Sequence, residues 1–195
     1  MVEMLGVLAI IGVLSAGALA GYSKAMFRHR VNQTIDIFQG VLQRFAELEQ
    51  KGIGQGAEIF GADNIIEYGL MKNCQKFNDE EYYGGESCKL QIGRFDADFK
   101  DSTEGYVEGE FYIRFSDSKS CMAFLSAGWE NAVPLDWWNP HGAIVRTNPY
   151  KTIYDPNGAY GEAITKVEMG KMTEACQQCD DENGCQFMLV VHQEF

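Results

Sequence analysis

Cysteines are the residues of this sequence with the most obvious chemistry, and all six lie in its second and third thirds. They are Cys74, Cys88, Cys121, Cys176, Cys179 and Cys185. Cys176 and Cys179 form a C-x-x-C, a spacing that redox enzymes and zinc sites both use. The acidic residues 180–182 follow at once, and nearby acid disfavours the thiolate that a redox cysteine needs. An even number of cysteines favours disulfides, with zinc and redox chemistry as the alternatives.

Disulfide connectivity is only partly indicated by the spacing. Cys74 and Cys88 enclose an acidic, tyrosine-rich stretch, and a bridge between them would stabilise the fold by roughly 3 kcal/mol. The other four cysteines allow several pairings, which sequence alone does not distinguish.

Other polar clusters give weaker signals. Asp180, Asp181 and Glu182 could bind calcium through carboxylate oxygens, but they lack EF-hand spacing, and a plain acidic loop is the simpler interpretation. The three histidines are far apart in the chain and form no triad with a serine or cysteine. We therefore predict no catalytic residues, no metal centre and no enzyme activity, and no cofactor other than this weak calcium alternative.

The N-terminal stretch, residues 1–21, is apolar except for one ionisable side chain, Glu3. A run of about 20 apolar residues is long enough to cross the hydrocarbon core of a bilayer as a helix. A carboxylate in such a run is costly, so it usually has a function.

The helical pattern continues beyond this run. No proline occurs between residues 22 and 51, and apolar residues recur at steps of three and four. These are Val31, Ile35, Phe38, Leu42 and Phe45. The sequence therefore predicts one helix of about 50 residues, ended by the glycines of residues 52–56. We divide the chain into an apolar helix (1–21), its amphipathic continuation (22–52) and a globular head (53–195).

Short elements are predicted in the head. Residues 63–70 indicate a short helix with Asp63 as its N-cap, and residues 109–115 alternate as a strand does. Residues 116–118 could cap a second helix. A further helix or turn is predicted over 163–174, and residues 185–195 form a closing strand apolar enough to be central.

The N-terminal residues that carry a family resemblance are Val2-Glu-Met-Leu-Gly-Val-Leu-Ala-Ile-Ile-Gly-Val-Leu-Ser15. This stretch resembles the N-terminus of type IV pilins and pseudopilins. The resemblance implies an α+β fold in which the C-terminal half of a long helix packs against an antiparallel, disulfide-stapled sheet. The strand and cysteine-bearing helix around Cys121 are similar to type IVb heads. That likeness implies a bridge from Cys121 to Cys176, Cys179 or Cys185, which would leave the other two to pair.

The resemblance also implies how the chain assembles. The counterpart of Glu3 in that family neutralises the N-terminal amine of a neighbouring subunit. Family members carry two more residues before the position of Met1, the first of them methylated, and a leader before processing. We therefore expect a processed chain that lacks its first two residues. Prepilin peptidase, the inner-membrane assembly machinery and further copies of the chain are the implied partners.

Glycines and cations of the long helix are further candidates for assembly. Gly12, Gly17 and Gly21 interrupt the apolar run, and the last two form a Gly-x-x-x-Gly pair that lets helices approach closely. Glycine is also simply common in membrane helices.

Lys24, Arg28 and Arg30 follow the apolar run and could pair with acidic residues of a neighbouring subunit. A solvated or headgroup-anchoring face is the alternative. Cations at this end would favour a cytoplasmic location, against the orientation that the resemblance implies, which places the head outside.

The formal net charge of −12 argues against nucleic acid as a main partner, because phosphate binding needs a basic surface. The resemblance to pilins implies a structural subunit that resides in the inner membrane and then polymerises into an extracellular filament. The alternatives are a pseudopilin of a type II secretion system and a membrane-anchored extracytoplasmic binding protein.

Overall fold

The longest element is a single helix, α1 (Val2–Gln50), in a computed structural model of the chain. The structure describes residues 2–50, 59–78, 86–101, 106–133, 143–148, 151–155, 158, 169–177 and 185–194. The predicted helix of about 50 residues is confirmed. The glycines of residues 52–56, which were predicted to end it, lie outside the described residues.

The C-terminal half of α1 packs on the head through one buried stripe. Val31, Thr34, Phe38, Val41, Leu42 and Phe45 are all buried. Their steps of three and four place them on one face of the helix. Thr34 is the polar member of this stripe, and its hydroxyl donates to the Arg30 carbonyl at 3.1 Å, so it is not left unsatisfied. Ile35, predicted for this face, is only half-buried.

An antiparallel sheet forms the head. Its strands are β1 (Ile59–Phe60), β2 (Lys76–Asn78), β3 (Glu86–Lys89), β4 (Arg94–Asp101), β5 (Tyr106–Phe115), β6 (Ala143–Asn148), β7 (Lys151–Tyr154) and β8 (Cys185–Glu194). Within the described residues the order is β2-β3-β4-β5-β8-β6-β7, and β1 pairs with the far end of β4. The predicted α+β fold with an antiparallel sheet is therefore confirmed.

Strand β8 lies in the middle of this sheet. It pairs with β5 over ten residues, from Phe115 opposite Cys185 to Tyr106 opposite Glu194, and with β6 on its other edge. This agrees with the prediction that the apolar closing strand is central. The chain passes through β6 and β7 before β8 enters between β5 and β6, so the sheet is completed only by its last strand.

Short helices connect the strands. They are α2 (Gly61–Glu67), α3 (Ser118–Leu125), a 3-10 turn (Trp129–Ala132) and α4 (Met169–Gln177). Helix α3 begins as predicted, because Asp117 caps it by accepting from the Ser120 backbone N–H at 2.7 Å.

Two predicted helix boundaries were wrong. Helix α2 begins before the predicted cap, so Asp63 lies inside its first turn and forms an ion pair with Lys76 instead. Helix α4 extends further toward the C-terminus than the predicted 163–174, and it includes Cys176. Both errors are a few residues long, because side-chain patterns fix the ends of short helices poorly.

The core is aromatic and lies between α1, α3 and the sheet. Phe38 of α1 is 1% exposed and stands edge-on to Phe124 of α3 and Phe187 of β8, each with a ring-centroid distance of 6.0 Å. Trp129 is fully buried and lies 4.8 Å from the Phe187 ring. Edge-on ring contacts add roughly 1 kcal/mol per pair beyond burial itself. The head is therefore organised around the helix stripe that the sequence predicted.

Disulfides cross-link the head. Cys74 is bonded to Cys88, and Cys121 of α3 is bonded to Cys176 of α4. Cys185 is also disulfide-bonded, whereas Cys179 lies outside the described residues. The predicted Cys74–Cys88 bridge and the pairing of Cys121 with one of the C-terminal cysteines are confirmed.

Candidate assembly and membrane interface

The N-terminal half of α1 is an apolar surface that the rest of the chain leaves uncovered. Its described large side chains are exposed, with Val13 at 74% and Leu19 at 68%. The segment is long and apolar enough to cross a membrane, and none of its most hydrophobic stretch is buried by the chain. So much exposed apolar surface on one helix marks an interaction site for lipid or protein.

Small residues shape this surface. A Cβ added at Gly12, Gly17 or Gly21 would meet nothing within 4 Å. These glycines are therefore not needed to fit the helix to its own head. Gly17 and Gly21 lie about one turn apart on the same side of α1, where they would allow another helix to approach closely. Their role in assembly stays a prediction.

The predicted charged group at the tip is only partly described. Glu3 lies in the first turn of α1, but its side chain falls outside the described residues, as does Met1. The pairing of Glu3 with a neighbouring amine stays a prediction.

A cleft opens where the apolar half of α1 meets the head. We call it the junction cleft, and its volume is 830 Å³. It lies between α1 and α3 and is lined by Ala20, Ser23, Lys24, Phe27, Arg28, Val31, Asn32, Lys119, Ala123, Ser126 and Ala127. Two predicted cations, Lys24 and Arg28, line this cleft, whereas Arg30 is exposed and does not.

Lys119 is the functional candidate that sequence reasoning missed. It belongs to α3, and its ammonium group lies 4.4 Å from the centroid of the Phe27 ring of α1. This cation–π contact adds to the packing of α3 on α1 and brings a third cation to the cleft. Nothing in the local sequence of Lys119 indicates that it would face α1, because only the packing of α3 brings them together.

Metal and redox chemistry receive no support from the described cysteines. Cys121, Cys176 and Cys185 are in disulfides, so none of them can serve as a zinc-binding thiolate in this form. Cys176 bonds outside its C-x-x-C, so the redox alternative for that motif was wrong. Among the described residues, no group of three or more histidine, cysteine or acidic side chains could hold a metal ion. The calcium alternative at Asp180, Asp181 and Glu182 lies outside the described residues.

Comparison with curated proteins shows a similarity to a fimbrial protein. The chain is 27% identical to the type IV major fimbrial protein FimA of Dichelobacter nodosus over a 100-residue alignment, which covers 47% of this chain and 62% of the relative. The chain thus aligns with less than two thirds of that relative's length. No family model and no solved structure matches the chain. The resemblance to type IV pilins drawn from residues 2–15 is supported by this relative, and by a fold with the long helix and stapled sheet that the resemblance implied.

Proposed function

We propose that this chain is a pilin, the repeating structural subunit of a type IV pilus-like extracellular filament. The observation that carries the proposal is the uncovered apolar half of α1, joined to a folded head that buries only the other half. The fimbrial relative points the same way and gives no support to the secretion pseudopilin or to the tethered binding protein.

Polymerisation would proceed through this surface. In the membrane, lipid covers residues 6–21 of α1, and in the filament the same residues of other copies cover it. Both surroundings are apolar, so the transfer gains little from the hydrophobic effect, and close packing distinguishes the assembled state. Gly17 and Gly21 would let neighbouring helices approach closely in that core.

Glu3 would set the axial register between copies. An unpaired carboxylate in an apolar core costs several kcal/mol, and a cationic amine of a neighbouring subunit beside it removes most of this penalty. Only one offset between two parallel helices places the amine of one copy beside Glu3 of the next.

Location and partners follow from the same mechanism. The chain would reside in the inner membrane, receive its mature N-terminus from prepilin peptidase, and leave the membrane through the assembly machinery. The role is structural, so we propose no reaction for it.

The test is the substitution Glu3→Val in the full chain expressed with its assembly machinery. We expect the protein to reach the membrane at normal levels and filaments to fall at least ten-fold, because the register-setting pair is lost. Filaments are counted by electron microscopy and membrane protein by immunoblot.

Glu47→Val is the matched control, because Glu47 is an exposed carboxylate on the half of the same helix that packs against the head. It should assemble as the wild type does. Normal filament numbers from Glu3→Val would contradict the charge-pairing role, and wild-type protein that never forms filaments would contradict the proposed function itself.

A further inference from the structure

The junction cleft combines three cations with apolar walls at one end of the exposed helix. Lys24 and Arg28 come from α1, and Lys119 comes from α3 of the head. Residues 1–50 carry as many acidic as basic side chains, so the net charge of −12 belongs to the rest of the chain. A local cluster of cations on so acidic a molecule needs a physical explanation.

The height of the cleft along α1 places it in the polar layer of a bilayer. If the apolar run from Glu3 to Tyr22 fills the hydrocarbon core, which is about 30 Å thick, Lys24 and Arg28 lie roughly 3 and 9 Å beyond its edge. Tyr22 is exposed at this boundary, where amphipathic aromatic residues commonly sit. The headgroup layer extends roughly 5–8 Å beyond the core, so the backbone of Lys24 lies within it and that of Arg28 lies roughly 1 Å beyond its outer edge. Helical side chains lean toward the helix N-terminus, so the long Arg28 side chain can reach back to the phosphate groups.

The lining of the cleft suits an amphipathic ligand. Phe27, Val31 and Ala123 provide apolar walls beside the cations. Arg28 can donate two parallel hydrogen bonds to a phosphate, and Lys24 and Lys119 add point charges. Basic pockets beside membrane helices bind anionic headgroups in this way.

We infer that the junction cleft binds the phosphate headgroup of an anionic phospholipid while α1 spans the bilayer. The inference rests on the membrane stage of the proposed function. The head then contributes to lipid recognition through Lys119, and the lipid holds head and helix in one arrangement before assembly. Leaving the membrane would require release of this lipid.

A carboxylate from a second copy is the competing occupant. It would neutralise the cations but offer nothing to the exposed apolar side chains of α1 on the membrane side of them, such as Leu19. A phospholipid offers an acyl chain and a phosphate in the order that α1 requires, with the chain toward residue 20 and the phosphate toward residues 24–28. The observations therefore favour the lipid.

Native mass spectrometry of the full chain in detergent micelles tests the inference. Phosphatidylglycerol and phosphatidylcholine with the same acyl chains are added at equal concentration, and the retained amounts are compared. We expect the wild type to retain more phosphatidylglycerol. Because each cation near a membrane surface contributes on the order of a five-fold preference for anionic lipid, Arg28→Ala and Lys119→Ala should each lower the ratio by about that factor.

Lys72→Ala is the matched control, since Lys72 is an exposed lysine of the head that does not line the cleft. It should leave the ratio unchanged, and Lys119→Arg should preserve it by keeping the charge. Equal retention of the two lipids by the wild type, or the same loss in Lys72→Ala, would overturn the inference. If Lys119→Ala disturbs folding, seen as free thiols, the decision rests on Arg28→Ala and Lys119→Arg.

Filament counts on the same variants separate this inference from the proposed function. Unchanged lipid preference in Lys119→Ala together with fewer filaments would assign the cleft to a second copy and overturn the lipid site. If the wild type retains more phosphatidylglycerol but never assembles, the lipid site in the junction cleft is supported and the filament function is overturned.

Discussion

Gly109 of β5 lies against the Phe45 ring of α1. A Cβ at this position would lie 3.0 Å and 3.2 Å from two ring atoms of Phe45. The Phe45 ring is itself edge-on to Phe111, at a centroid distance of 5.2 Å. We predict that Gly109→Val lowers the free energy of unfolding by about 1–3 kcal/mol, because it forces these rings apart. Urea unfolding of the full chain in detergent, followed by tryptophan fluorescence, measures this.

Gly40→Ala is the control for Gly109→Val. Gly40 lies in the middle of α1, and a Cβ there would meet nothing within 4 Å. Alanine should stabilise the helix by up to about 1 kcal/mol, so the two glycine substitutions should have opposite signs. If Gly109→Val and Gly40→Ala both destabilise the protein, the close contact between Gly109 and Phe45 is not the cause of the loss.

At the scale of the element, α1 divides into a half that holds the head together and a half that does not. Phe38 is 1% exposed and contacts rings from both α3 and β8. We predict that Phe38→Ala costs about 3–5 kcal/mol of folding free energy, through lost burial and the cavity left behind. The loss is measured by the same urea unfolding.

Val13→Ala is the matched change in the other half of α1. Val13 is 74% exposed in the single chain, so its truncation should change the stability of the head by less than about 0.5 kcal/mol. If Val13 supports only contacts between copies, its effect should appear in filament yield instead. Equal destabilisation by the two variants would contradict this division of α1.

At the scale of the whole molecule, the disulfides connect segments that are far apart in the chain. The Cys121–Cys176 bridge closes a loop with a sequence separation of 55, and Cys74–Cys88 closes one of 14. Loop-closure entropy predicts that removing the longer bridge lowers the free energy of unfolding by about 4 kcal/mol, and that removing the shorter bridge lowers it by about 3 kcal/mol. Alanine substitution of each pair, followed by urea unfolding, measures both, and a larger loss from Cys74 and Cys88 would contradict the expected order.

Sequence alone determined the features that depend on local periodicity and composition. The apolar run and the three-and-four spacing of Val31, Ile35, Phe38, Leu42 and Phe45 predicted both halves of α1, because helix faces follow directly from residue spacing. The cap at Asp117 and the central position of β8 were predictable for the same reason, since each depends on the residue types within one short segment.

Only the tertiary structure decided which distant residues meet. Several pairings of the last four cysteines are consistent with their spacing, and the packing of α3 against α4 selects Cys176 for Cys121. The packing of α3 against α1 likewise brings Lys119 beside Lys24 and Arg28 in the junction cleft. Contacts between segments far apart in the chain are set by how their faces bury one another, and local sequence patterns carry little of that information.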